Sequence, residues 1–259
     1  MEVPSNIGTA VILTTLAGLS TTIGSVTACF IKKPKIVYLC FSLGLSAGVM
    51  IYISFVELLP QAAQRASEPA AVAGFFIGMA FMGLIDLLIP EQQNPHNYRG
   101  FEGVPAAGAN SQLMKTGLLT TLAIGIHNLP EGLATFAAAV TDLKLGVFTA
   151  IAIAIHNIPE GIAVSVPILY ATGNKRKALF YSFLSGITEP IGACIGFLLL
   201  LPFLSSWLIA VLMAFVAGIM VYISVDELLP MAHWYGHSHT VIAGIFAGML
   251  IMALSLLML

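Results

Sequence analysis

All ten Lys and Arg residues of this 259-residue chain (Lys32, Lys33, Lys35, Arg65, Arg99, Lys115, Lys144, Lys175, Arg176 and Lys177) fall in or beside the breaks between long apolar runs. A bilayer span needs about 20 mostly apolar residues, and cutting the chain at its charge and turn clusters gives eight of them. They cover 7–31, 36–60, 70–90, 113–140, 146–170, 178–201, 206–230 and 240–259. Only helices and closed β-barrels satisfy every backbone group inside lipid. Barrel strands would alternate polar and apolar residues over about ten positions, which a run such as Leu198-Leu199-Leu200-Leu201 does not. The expectation is an all-α, polytopic membrane protein that forms a single transmembrane domain over 1–259. With 58% hydrophobic and 8% charged residues and a mean hydropathy of +0.97, the composition lies far from the roughly one-quarter charged residues of soluble domains.

Placing both termini outside the cytoplasm gives the cytoplasmic breaks eight of the basic residues and leaves Arg65 and Lys144 outside, the orientation that the positive-inside rule selects. The first run, with no basic stretch ahead of it and no small-residue cleavage site before a soluble chain, reads as a retained helix rather than a signal peptide. The connection 91–112, scattered with Pro, Gly, Asn and Gln, reads as a mobile cytoplasmic loop. His96 in that loop and His233, His237 and His239 after the seventh run either collect metal on the cytoplasmic side or are solvated loop histidines. A net charge of −2 without a basic stripe argues against a nucleic-acid partner. Cys29, Cys40 and Cys194 lack disulfide arithmetic and Cys-x-x-Cys spacing, and read as small buried hydrophobes.

Residues 47–60, AGVMIYISFVELLP, match 217–230, AGIMVYISVDELLP, at ten of fourteen positions and align Glu57 with Glu227. With eight spans these copies cross in opposite senses. Inverted repeats with Pro-interrupted helices at the midplane mark alternating-access secondary transporters. Glu57 near an outer helix end, and Asp226 with Glu227 near an inner one, either line the mouths of a pathway or reach interfacial water; Asp86 reads as interfacial.

In the fourth and fifth runs, the central pair between the first three and the last three, lie two copies of one hexapeptide, His127-Asn128-Leu129-Pro130-Glu131-Gly132 and His156-Asn157-Ile158-Pro159-Glu160-Gly161. Charged groups at bilayer depth cost several kcal/mol unless partnered, and Glu131, Glu160 and Glu189 have no intramembrane base to pair with. Either the acids are protonated or a cation from solution completes the site. The imidazoles favour a metal, because neutral His beside carboxylate strengthens a transition-ion site and adds little for Na⁺ or a proton. On a helix, His127, Asn128 and Glu131 share one face, as do His156, Asn157 and Glu160. Pro130 and Pro159 free the carbonyls of Ile126 and Ile155 and predict a kink, while Gly132 and Gly161 admit a close neighbour. Two such faces with Glu189, just before Pro190, hold one ion or two: imidazole and carboxylate suit Zn²⁺, and Asn and Glu oxygens suit Fe²⁺, Mn²⁺ or Co²⁺. Met50, or its repeat mate Met220, either adds a thioether or simply packs.

The paired HNLPEG and HNIPEG, the TEP of 188–190, the AGxMxYIS…ELLP repeat and the GNKRKA stretch after the fifth span resemble the ZIP family of divalent metal transporters over essentially the whole chain. The resemblance implies the ZIP fold in a 3+2+3 arrangement. It also implies a homodimeric carrier of the inner membrane that takes zinc, and more loosely iron, manganese, cobalt or cadmium (Fe²⁺, Mn²⁺, Co²⁺, Cd²⁺), into the cytoplasm, with no catalytic cofactor. By position, His127, Glu131, His156 and Glu160 match a zinc-type site. Asn128, Glu131, Asn157, Glu160 and Glu189 match a second, iron-type site bridged by Glu131 and Glu160, and Met50 matches a thioether contact. Other branches of the family carry Asp where Asn157 stands, so this second site is one charge poorer. The rival reading from another class is a membrane di-metal carboxylate enzyme, but helical di-iron sites use Glu-x-x-His, the reverse of the order here. A metal sensor would need an output domain, and a proton-only carrier leaves the imidazole–amide pairs without a role.

Overall fold

A computed structural model describes residues 6–30, 36–88, 109–200, 205–234 and 236–258, and these residues are almost entirely helical. In order the helices are α1 (Ile7–Phe30), α2 (Ile36–Ile53), α3 (Leu59–Arg65), α4 (Glu68–Leu88), α5 (Ala109–Thr141), α6 (Leu143–Thr172), α7 (Lys175–Gly186), α8 (Thr188–Leu200), α9 (Ser206–Ile223), α10 (Leu229–Trp234) and α11 (Ser238–Met258). Two wide π-turns, Ser54–Leu58 and Ser224–Leu228, join α2 to α3 and α9 to α10. Lys32, Lys33, Lys35, His96, Arg99 and the loop residues 91–108 lie outside the described residues.

Seven of the eight expected spans are helices long and apolar enough to cross a membrane. The fourth, α5, has 33 residues, but His127, Asn128, Pro130 and Glu131 at its centre dilute its hydropathy. It also starts at Ala109, earlier than the expected 113, because Ala109-Asn-Ser-Gln contains neither Pro nor Gly and continues the helical turn. The outer surface is what a bilayer demands: Phe76, Leu87, Leu198, Phe246 and Leu257 are exposed by 62, 81, 73, 68 and 83%. The polar side chains Thr14, Ser46, His127, Glu131, His156 and Glu189 are buried.

The π-turns fall at matching places in the repeat and have a shared cause. Pro60 and Pro230 offer no N–H and crowd the carbonyl four residues back, so the turn before each widens. Leu59 N–H reaches Ser54 O, and Leu229 N–H reaches Ser224 O, five residues back in both cases. Pro130 and Pro159, by contrast, lie within helices that run on without a break. Of the Pro-bearing site segments it is the sixth span that is interrupted, at Ile187 between α7 and α8. Pro190 leaves the Gly186 carbonyl without an N–H there.

Two groups of helices result. In one, α6 packs on α1 and α5, and α5 packs on α8; in the other, α2 packs on α11 and α4 on α9. The groups meet mainly where α2 touches α6 and α9 touches α5. Crossings within a group run through glycine: an added Cβ at Gly18 would strike the Gly186 carbonyl and one at Gly186 the Gly18 carbonyl, while Gly48 abuts Ile245 and Gly218 abuts Phe75. Small residues let backbones touch where lipid gives helices no hydrophobic reason to associate.

A single residue, Asp142, links α5 to α6. Its carboxylate caps α6 by accepting from Lys144 N at 2.9 Å and Leu145 N at 3.3 Å. Gly173 closes α6 with φ of 62°, where a side chain would be strained, and Asn174 caps α7 by accepting from Arg176 N at 2.9 Å.

Candidate metal site

Helical spacing puts His127 and Glu131 one turn apart on α5, and His156 and Glu160 one turn apart on α6. The close α5–α6 hairpin turns these faces toward each other. His127 Nε2 lies 3.4 Å from Glu131 Oε1 and 3.3 Å from Glu160 Oε1. His156 Nε2 lies 3.1 and 3.2 Å from the two oxygens of Glu131. The imidazole centroids are 6.4 Å apart at 70°. His127, His156 and Glu160 each present a ligand atom within 4.8 Å of one another, which makes them, among the described residues, the one cluster of three or more His, Cys, Asp or Glu side chains placed to hold an ion.

Burial is complete at this site: Asn128, Glu131, His156, Asn157, Glu160 and Glu189 are 0% exposed and His127 is 1% exposed. No described Lys or Arg reaches it, since Arg65, Lys115, Lys144, Lys175, Arg176 and Lys177 are all exposed. Three carboxylates therefore share a buried pocket with neutral or weakly basic partners, a grouping that attracts a cation.

The two asparagines are oriented by backbone. Asn128 Nδ2 donates to Ser185 O at 3.0 Å, and Asn157 Nδ2 donates to Ala17 O at 3.0 Å and also to Glu189 Oε1. With each amide nitrogen committed to a carbonyl, each amide oxygen is turned the other way. Asn128 Oδ1, Asn157 Oδ1, Glu160 Oε2 and Glu189 Oε2 are buried without a hydrogen-bond partner, and so are Nδ1 of His127 and of His156. Buried polar atoms are rarely left so, and here the orphans are the atom types that ligate a divalent ion. Gly132 and Gly161 permit the closeness, with the Glu189 carbonyl lying over Gly132 and the Thr21 carbonyl over Gly161.

All eight residues singled out in the sequence thus lie in one region, in two layers. His127, Glu131, His156 and Glu160 face one another directly, while Asn157 and Glu189 form an adjoining pair and Asn128 is held on the broken sixth span. Met50, fully buried on α2, is reached through Ser46, whose Oγ lies 3.2 Å from Glu160 Oε1 and 3.8 Å from Met50 Sδ. Sequence reading passed over Ser46, although it stands one turn before Met50. The other histidines stand apart: His233 is exposed with Nδ1 2.9 Å from the Leu229 carbonyl of its own helix, and His237 and His239 are exposed. Of the cysteines, only Cys40 is fully buried; Cys29 is partly so, and Cys194 is exposed on the apolar exterior, contrary to the expectation of buried hydrophobes.

Residues 92–256 match the family model described as ZIP Zinc transporter. The chain is 55% identical to the zinc transporter ZupT of Akkermansia muciniphila, with 95% of this chain and 96% of the relative covered. It is 50% identical to the zinc transporter ZupT of Clostridium perfringens, covering 98% of this chain and 97% of the relative. The ZupT protein of Streptococcus mutans is likewise 50% identical, over 96% of this chain and 97% of its own. The paired hexapeptides, the apolar helices and this full-length likeness agree: the chain belongs to the ZIP family of zinc transporters.

Proposed function

We propose that this protein is a secondary transporter that carries Zn²⁺ across the cytoplasmic membrane into the cell through the site between α5 and α6. The observation that supports this reading best is the convergence of His127, Glu131, His156 and Glu160, buried in α5 and α6 with no described Lys or Arg beside them. A dication relieves the repulsion of the buried acids, and mixed imidazole and carboxylate donors hold zinc less irreversibly than four thiolates would. Asn128, Asn157 and Glu189 extend the ligand set to a second ion bridged by Glu131 and Glu160, and Met50 adds a thioether at the rim. Fe²⁺, Mn²⁺, Co²⁺ and Cd²⁺ follow zinc as further cargo by the chemistry of these donors.

In this reading all 259 residues form one transmembrane domain of eight spans. Both termini lie outside the cytoplasm, the repeat copies cross in opposite senses, α5 and α6 form the central pair, and two chains associate as a homodimer, as the family likeness implies. The di-metal enzyme reading finds no support beside membership in a transporter family.

The test is zinc uptake by purified protein in liposomes. Wild type accumulates zinc, and Glu131→Ala or Glu160→Ala abolishes uptake while leaving membrane insertion and the elution profile unchanged. Wild-type flux in both variants would overturn the assignment.

A further inference from the structure

We infer that Ser46 is a positioning residue for Glu160 and, through it, sets the preference of the site for zinc over larger, softer dications. This inference rests on the transport reading above. Many helical hydroxyls in this chain, though not Ser165 and Ser182, which reach across to Ser25 Oγ and Thr21 O of α1, bond back to the carbonyl four residues earlier: Thr14 to Ala10 O at 2.9 Å, Thr121 to Gly117 O at 2.6 Å, Thr149 to Leu145 O at 2.9 Å and Ser224 to Met220 O at 2.7 Å. That is the ordinary fate of Ser and Thr inside a helix. Ser46 departs from it. Fully buried on α2, it donates to Glu160 Oε1 on α6 at 3.2 Å, across the boundary between the two helix groups.

The repeat supplies an internal control. Ser46 stands one residue before the first copy and Val216 one residue before the second. Val216 is as completely buried as Ser46. Packing at this point of the repeat is therefore met by an apolar side chain, and the hydroxyl at position 46 answers to something other than packing. What it touches is an ion ligand, Glu160, and a sulfur, Met50 Sδ at 3.8 Å.

A hydrogen bond accepted at one carboxylate oxygen takes one of that oxygen's two lone-pair sites and fixes the rotation of the whole group. Ser46 so holds Glu160 Oε1, which keeps a lone pair toward His127 Nε2 at 3.3 Å, while Oε2 is buried without a partner. Ligation through one oxygen suits tetrahedral zinc, whereas larger ions of higher coordination number take carboxylates through both oxygens. Removing the hydroxyl frees the Glu160 carboxylate to turn and ligate through both oxygens. It also releases the soft sulfur of Met50, and both changes favour cadmium over zinc.

Full-length protein in liposomes tests this by zinc uptake and by the inhibition of that uptake by cadmium, in wild type, Ser46→Ala, Ser46→Val and Ser46→Thr. Ala and Val, the second being the residue at the matched position, both lack the hydroxyl and lower the zinc-over-cadmium preference about tenfold, the scale of one hydrogen bond to a charged group. Thr keeps the hydroxyl and the wild-type preference. A purely structural role would reduce transport of both metals in proportion and leave the preference unmoved. An unchanged ratio in Ala and Val, or a Thr variant shifted as far as Ala, overturns the role of Ser46. Failure of wild type to move zinc overturns the transport reading itself and is seen before any variant is compared.

Discussion

Gly132→Ala is the smallest change that displaces a proposed ligand without touching one. A Cβ at this position would sit 2.7 Å from the Cα of Glu189, where ordinary carbon contacts are about 3.5–4.0 Å. The obstacle is main chain and cannot swing aside, so α8 must retreat from α5 by about 1 Å. Such overpacking costs about 1–3 kcal/mol. The same retreat carries Glu189 away from Asn157, its hydrogen-bond donor. Metal–ligand distances tolerate only about ±0.2 Å, and a misplacement near 1 Å can lower a rate about a hundredfold. Zinc uptake per folded transporter is expected to fall ten- to a hundredfold, with a lower thermal unfolding midpoint in detergent. Gly125→Ala on the same helix is the control: its nearest neighbour would be Thr188 Cγ2 at 3.6 Å, an ordinary contact, so flux stays near wild type. Wild-type flux and midpoint in Gly132→Ala would refute the close-packing argument.

Asn157→Ala removes the donor to Glu189 and to Ala17 O; it is expected to lower stability by about 1–3 kcal/mol, with zinc restoring part of the loss in a thermal unfolding measurement. Asn157→Asp adds the charge that other branches of the family carry there, and should raise the zinc bound per chain at fixed free zinc; unchanged metal content would count against a second ion. Asp142→Ala deletes the cap of α6 and should cost about 1 kcal/mol. Arg65→Ala, which removes only an exposed pair with Asp142 at 3.9 Å, should stay within about 0.5 kcal/mol of wild type by the same measurement.

Apolar runs and charge-bearing breaks announced the helices because a bilayer leaves so few alternatives. The hexapeptides pointed to the candidate site because three buried acids with no described Lys or Arg beside them attract a cation. The π-turns were not legible: Pro60 and Pro230 mark a weak point, but whether a helix answers Pro by widening, as before Leu59, or by running on, as at Pro130, depends on the neighbour that takes up the spare carbonyl. The interruption at Ile187 was hidden for the same reason, since the Gly186 carbonyl meets Gly18, 168 positions away in the chain. Ser46 was missed because its partner Glu160 is 114 positions away; only the mismatch with Val216, at the position just before each repeat copy, hinted at it.

The one-residue link at Asp142 fixes the depth of the proposed ligands. His127 precedes the end of α5 by almost as many residues as separate His156 from the start of α6, so at about 1.5 Å per residue both lie roughly 20 Å along their helices from the link. Both halves of the candidate site hang from one hairpin and cannot be drawn apart along the helix axes. Whatever rearrangement delivers the cargo must leave this hairpin whole and change what surrounds it.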